Sequence, residues 1–137
     1  MILMDNNKDY KIEVYTSALM LMIASADDHI DDNEIDTIRD IISDFYDIDI
    51  ETTKKILIDA HKVIEESTDV YQIGSFLNEH LSKQDKIDLI CCIFEVAYSD
   101  KNLHFMEKHL ADKISNIFNL NKAELLKAKQ EIEKYLE

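Results

Sequence analysis

The sequence predicts an all-α fold, a single compact seven-helix bundle with an internal pseudo-twofold repeat in which helices 1–3 resemble helices 5–7. Three observations carry this. The 137 residues hold one glycine and no proline, whereas a sheet protein needs turn residues about every 8–12 positions. Hydrophobic residues make up 46% and charged residues 32%, enough apolar material for one domain that buries roughly two-thirds of its unfolded surface. The apolar residues also recur with the 3.6-residue period from one end to the other.

The first helix is expected from about Lys8 to Ala26, with residues 1–7 a flexible N-terminal extension of the single domain 1–137. The second starts near Asp32 and aligns Ile35, Ile38, Ile42 and Phe45. The third, about Ile50 to Glu66, sets Ile56, Ala60, Val63 and Ile64 together. The fourth is short, near Val70 to Leu81, and Gly74 inside it weakens its helical propensity. The fifth spans about Lys83 to Ser99. The sixth, about Phe105 to Phe118, aligns Leu110, Ile114, Ile117 and Phe118, and the seventh, about Lys122 to Leu136, aligns Leu125, Ala128, Ile132 and Tyr135. Asp31 before Glu34, Ser82 before Asp85 and Asn121 before Glu124 each put a capping side chain three residues ahead of an acid. That spacing satisfies an orphan amide and sets the acid at the positive helix end. The runs Leu19–Ile23 and Leu89–Phe94 are apolar nearly all round, so helices one and five should form the centre.

The repeat organises the chain. Ala24-Ser25-Ala26-Asp27-Asp28-His29-Ile30 aligns with Ala97-Tyr98-Ser99-Asp100-Lys101-Asn102-Leu103. In register beyond it, Glu34 meets Glu107, Ile41 meets Ile114 and Phe45 meets Phe118. After one skipped residue, Ile48 meets Leu120. Two such long units suit a closed bundle better than an open solenoid.

The duplicated joints, Asp27/Glu34 and Asp100/Glu107, invite a chemical reading. Four carboxylates near two helix starts offer hard oxygen ligands for Ca²⁺, Mg²⁺ or another divalent cation. Asp28, Asp31 and Asp32 add charge to the first joint, and His29 and His104 lie nearby. The competing reading needs no ion: each Asp caps a tight turn and each Glu faces the helix N-terminus.

Other site chemistries fail on spacing. In an EF-hand register, Asp32 stands where the loop needs Gly and Ile38 where it needs the bidentate Glu. There is no Glu-x-x-His pair for a di-iron bundle, no His-Glu-x-x-His for zinc, and no glycine-rich phosphate loop. No nucleophile has an evident base, so no enzyme is expected.

Charge narrows the partners. The 29 acids against 15 bases give −14, which disfavours a nucleic-acid backbone. Residues 1–50 carry 13 acids and 3 bases, a solvated face or a docking surface for a basic protein partner. Without a counterion such a cluster repels itself and raises some carboxyl pKa values. His61, His80 and His109 read as satisfied single histidines. The six tyrosines, with no Trp, read as packing residues. Adjacent Cys91 and Cys92 match no metal or disulfide spacing and read as helix-core thiols. No run reaches the ~20 residues of an integral membrane segment, and Met1–Asp5 lacks a signal-peptide pattern. A cytoplasmic location is expected.

Residues Ile23 to Glu34, together with Leu81-Ser82-Lys83, Val96 to Leu103 and Glu107, resemble the two signatures of the TerB (tellurite-resistance B) domain family. The set also includes the cytoplasmic N-terminal part of DjlA-type membrane co-chaperones. The resemblance covers about residues 8–137 and implies a seven-helix all-α fold and a non-enzymatic stress-response role. It also implies metal binding through paired acids, by position Asp27, Glu34, Asp100 and Glu107. The chain departs from the family where Gly is common in the turn: His29 and Asn102, or Asp28 and Lys101, stand there. Lys101 sets a cation beside the second joint, which disfavours a metal there more than at the first. The expected function is therefore a binding domain that holds a divalent cation at its acidic joints. The alternative is a metal-free adaptor or co-chaperone-like module that docks a basic protein through its acidic face.

Overall fold

The computed structural model describes residues 2–24, 32–66, 69–97 and 105–135. Their regular structure is helical: α1 Ile2–Ala24, α2 Asp32–Tyr46, α3 Ile50–Glu65, α4 Val70–His80, α5 Lys83–Ala97, α6 Phe105–Ile117 and α7 Lys122–Tyr135. No strand occurs among the described residues. The expected helices are all present. α1 begins at Ile2, ahead of the Lys8 start that the periodicity suggested.

α1 is the axis of the bundle and packs against α2, α3, α4, α5 and α6. Its sequence explains this, because Val14, Thr16, Ser17, Ala18, Leu19, Met20, Leu21, Ile23 and Ala24 are all buried and leave no polar stripe. Fully burying each large apolar side chain stabilises the fold by about 1.5–3 kcal/mol. The two buried hydroxyls are satisfied. Thr16 Oγ1 lies 2.7 Å from the Tyr46 hydroxyl on α2, and Ser17 Oγ donates to the Glu13 carbonyl at 2.9 Å. Farther along α1, the Tyr10 hydroxyl donates to Asp59 on α3.

α5 packs against α1, α2, α6 and α7, but it is enclosed only in part. Leu89, Ile90, Ile93 and Phe94 are buried, while Cys91 and Cys92 are half-buried. On α2 the buried face is Ile38, Ile41 and Ile42. Ile35 and Phe45, expected on that stripe, are half-buried at its edges.

The α2–α3 and α6–α7 joints close and restart their helices in the same way. Asp47 and Asn119 both take positive φ, 51° and 58°. In each joint the next amide reaches back to close the helix, Ile48 N to the Ser43 carbonyl at 3.1 Å and Leu120 N to the Ser115 carbonyl at 3.0 Å. This is the Schellman arrangement, which uses a left-handed residue to satisfy the last carbonyls. Two residues on, Asp49 and Asn121 cap the following helices by accepting from the amides of Thr52 and Glu124, each at 2.8 Å. Beyond the one-residue skip the repeat aligns Ile48 with Leu120, Asp49 with Asn121 and Thr52 with Glu124, whereas Ser43, ahead of the skip, stands one place out of register with Ser115. The twofold relation of the whole halves stays an inference from the sequence.

α4 packs against α1 and α6. Gly74 is a point of close approach: a Cβ there would stand 2.9 Å from Ile117 Cγ2. The glycine that weakens α4 locally is what lets α6 lie against it.

Candidate functional site

Asp27 and Asp100, and with them both acidic couples, fall outside the described residues. Glu34 falls in the first turn of α2 and Glu107 in the first turn of α6. Their side chains, like those of His29 and His104, are outside the described set. Among the described residues, no three His, Cys, Asp or Glu side chains are arranged to hold a metal ion.

The capping chemistry proposed for the joints does occur at other helix starts. Ser82 Oγ accepts from the Asp85 amide at 3.1 Å. Asn121 and Glu124 form a reciprocal box, with the Asn121 amide donating to Glu124 Oε1 at 3.0 Å in return. Asp49 and Asp69 cap α3 and α4 through the amides of Thr52 and Gln72. Asp31 and the side chain of Glu34, the third expected pair, lie outside what is described.

The acidic surface takes shape where α2 faces α5. Asp40, Asp44 and Glu95 line a hollow of about 300 Å³ together with Ile41, Phe45 and Cys92. The helical period puts Asp40 and Asp44 one turn apart on the edge of α2 that meets α5. Glu95, near the end of α5, is half-buried while the two aspartates are exposed. Burial lifts the Glu95 carboxyl above its ordinary range, and Asp44 and Asp40 push it further. The self-repulsion read from the charge count is thus localised, although on a residue outside the acidic stretch 1–50. Glu95 escaped the sequence reading because it stands about fifty positions from the aspartates. Only the packing of α5 on α2 makes them neighbours.

The thiols carry no reactive signature. Burial, followed by Glu131 and Asp88, pushes Cys91 up to about 11. Burial, followed by Glu95, pushes Cys92 up to about 12. A thiolate is the nucleophilic form, so both are protonated at neutral pH, as fits packing residues. His80 is satisfied as expected, with Nδ1 2.8 Å from the Phe76 carbonyl. Phe76 meets Tyr15 edge-on at 5.0 Å, and the Lys11 ammonium sits 4.6 Å over the Phe76 ring.

Fold and charge together define a small acidic helical bundle in which three carboxylates line a hollow between α2 and α5. A family model described as tellurite resistance protein TerB matches residues 13–130, and the chain belongs to the TerB family. No curated protein and no solved structure matches it.

Proposed function

We propose that this TerB-family chain is a non-enzymatic binding module of the tellurite-resistance, stress-response type. It works in the cytoplasm and docks a basic protein partner through its acidic face. The observation that carries this reading is the convergence of Asp40, Asp44 and Glu95 on one hollow, with Glu95 held above its ordinary pKa by burial and by the two aspartates. A lysine or arginine entering there relieves the repulsion among the three carboxylates, so charge neutralisation favours the complex. No described helix is long and apolar enough to cross a membrane.

Fluorescence anisotropy with a lysine-rich peptide tests the reading. Binding is expected to weaken with salt, and the triple change Asp40→Asn, Asp44→Asn, Glu95→Gln is expected to reduce it about tenfold or more. Unchanged affinity in that variant removes the proposal.

A second reading places a divalent cation at Asp27, Glu34, Asp100 and Glu107. The repeat of the acidic couple supports it, as does the equivalent first-turn position of Glu34 and Glu107. A bound ion at a hundredfold over Kd adds about 2.7 kcal/mol to native stability. Calorimetry and melting in millimolar Ca²⁺, Mg²⁺, Mn²⁺ and Zn²⁺ are expected to show it, and Asp27→Asn with Glu34→Gln to abolish it. An unmoved melting temperature in all four rejects the cation and leaves the capping role.

A further inference from the structure

One helix stands outside the repeat. The repeat pairs α1 with α5, α2 with α6 and α3 with α7 among the described helices, and it leaves α4 over. Packing keeps to these pairs in three places: α1 lies against α2, α3 and α6, and α5 against α6, α7 and α2. α4 lies across α1 and α6. The corresponding pair is α5 and α2. α1 covers that pair from the core side, and the acidic hollow opens on the other. Burial differs in step with this. Ala18 and Leu19 on α1 are fully buried, whereas their counterparts Cys91 and Cys92 on α5 are half-buried. The incomplete enclosure of α5 thus falls on the helix that has no α4 against it.

The residues that meet α4 have acidic counterparts. The Lys113 ammonium sits 5.8 Å over the Tyr71 ring, Ile117 meets Gly74, and Tyr15 meets Phe76 edge-on at 5.0 Å. In the register of Ile41 with Ile114 and Ala24 with Ala97, these three correspond to Asp40, Asp44 and Asp88. Lys11, over the Phe76 ring, corresponds to Gln84, which donates to Asp88 at 2.9 Å. Counted one place over, from the matched joints, Ile41 and Phe45 take the places of Lys113 and Ile117, and both line the same hollow. Ile41, Phe45 and Cys92 give that hollow an apolar floor. Among the described residues no lysine or arginine pairs with Asp40, Asp44, Asp88 or Glu95.

We infer that the α2–α5 groove docks a basic amphipathic helix of a partner protein, seated as α4 is seated on α1 and α6. The inference rests on the basic-partner reading above and gives that partner its form. α4 supplies the pattern: Ile73 and Leu77 are buried, Gly74 stands at the close approach, and Tyr71 and Phe76 lie on the two flanks. The partner helix carries a small residue in the place of Gly74, with apolar residues one place before it and three after, against the floor. Lysine or arginine three places before the small residue and two after it meets Asp40 on α2 and Asp88 on α5.

Synthetic peptides of about 18 residues test it: a helix built on that pattern, the same helix broken by two prolines, and the helix with leucine in place of the small residue. The intact helix is expected to shift the amide resonances around Ile41 and Cys92 and to slow the labelling of Cys92. It is expected to bind at least about tenfold tighter than either other peptide, because proline removes the helix and leucine overpacks the crossing. Asp40→Lys and Asp88→Lys, both at exposed positions, are each expected to weaken it about tenfold. Equal binding of the broken peptide overturns the inference and leaves the basic-partner reading standing, whereas an absence of binding by all three removes both. Equal binding of the leucine peptide, or shifts elsewhere, also overturns it. So does light scattering that shows a dimer which Asp44→Arg dissolves, because the groove then belongs to a second copy of this chain.

Discussion

Gly74 on α4 and Ile117 on α6 meet so closely that a methyl group at position 74 would lie 2.9 Å from Ile117 Cγ2 and 3.0 Å from Cδ1. Two effects oppose each other there. Alanine favours a helix interior over glycine by about 1 kcal/mol, while forcing a methyl into packed structure costs about 1–3 kcal/mol. Gly74→Ala is therefore expected to destabilise the chain by about 1 kcal/mol in urea unfolding. In an Ile117→Ala background the methyl has room, and the same change is expected to stabilise. A double-mutant cycle without a favourable coupling of about 1 kcal/mol contradicts the close approach.

The matched joints predict matched responses. Asp47 and Asn119 hold positive φ, a conformation that costs an ordinary L-residue about 1–2 kcal/mol. Asp47→Val and Asn119→Val are each expected to lose about that much. The glycine substitutions are expected to be neutral or stabilising by less than about 1 kcal/mol. Denaturant midpoints that differ in sign between the two joints would speak against a shared design.

Two carboxylates give opposite pH signatures. Glu124 sits below its ordinary value of 4.5 because the Asn121 amide and then the Lys83 side chain bond to its charged form; Lys83 Nζ lies 3.0 Å away. Its contribution is complete above 4.5 and disappears as pH falls through the lowered folded value. Glu95 is raised, so ionising it costs the fold. That cost is absent below 4.5 and complete once pH exceeds the raised value. Glu124→Gln is expected to lower the urea midpoint at pH 7 and to converge on the parent in strong acid. Glu95→Gln is expected to raise it at pH 7 and to have no effect in strong acid.

Cysteine labelling separates packing from reactivity. Cys91 and Cys92 are half-buried with thiols pushed up to about 11 and about 12. Both are expected to react more slowly with a disulfide reagent at pH 8 than an unhindered thiol does, with Cys91 ahead of Cys92. Full rates should return in denaturant. A burst of fast labelling in the native state would show a thiolate that burial does not protect.

Much of the fold was legible because helices announce themselves locally. The caps Ser82 and Asn121 are visible from a three-residue spacing, whereas Asp49 and Asp69 have Thr52 and Gln72 in the third place and slip past a search for cap plus acid. The purpose of Gly74 was hidden, since its neighbour Ile117 is known only once α6 crosses α4. Ile58 illustrates the same limit. A residue two positions past the buried Ile56 turns off the core face, but whether it meets another helix or a groove depends on how α2 and α3 diverge. The acidic couples were legible as a pattern, and their chemistry was not, because Asp and Glu at those spacings serve helix capping as well as an ion.

α1 touches five other helices, and this has a consequence for how the molecule is made. Its unbroken apolar length from Ala18 to Ala24 leaves the ribosome before α5 and α6 exist, and at about 5–20 residues per second it waits several seconds for them. During that interval the nascent segment is an exposed hydrophobic rod and a natural client for a holding chaperone. Dye-binding fluorescence on chains released at His80 and at Ala97 reads this directly, with the shorter chain expected to glow brighter.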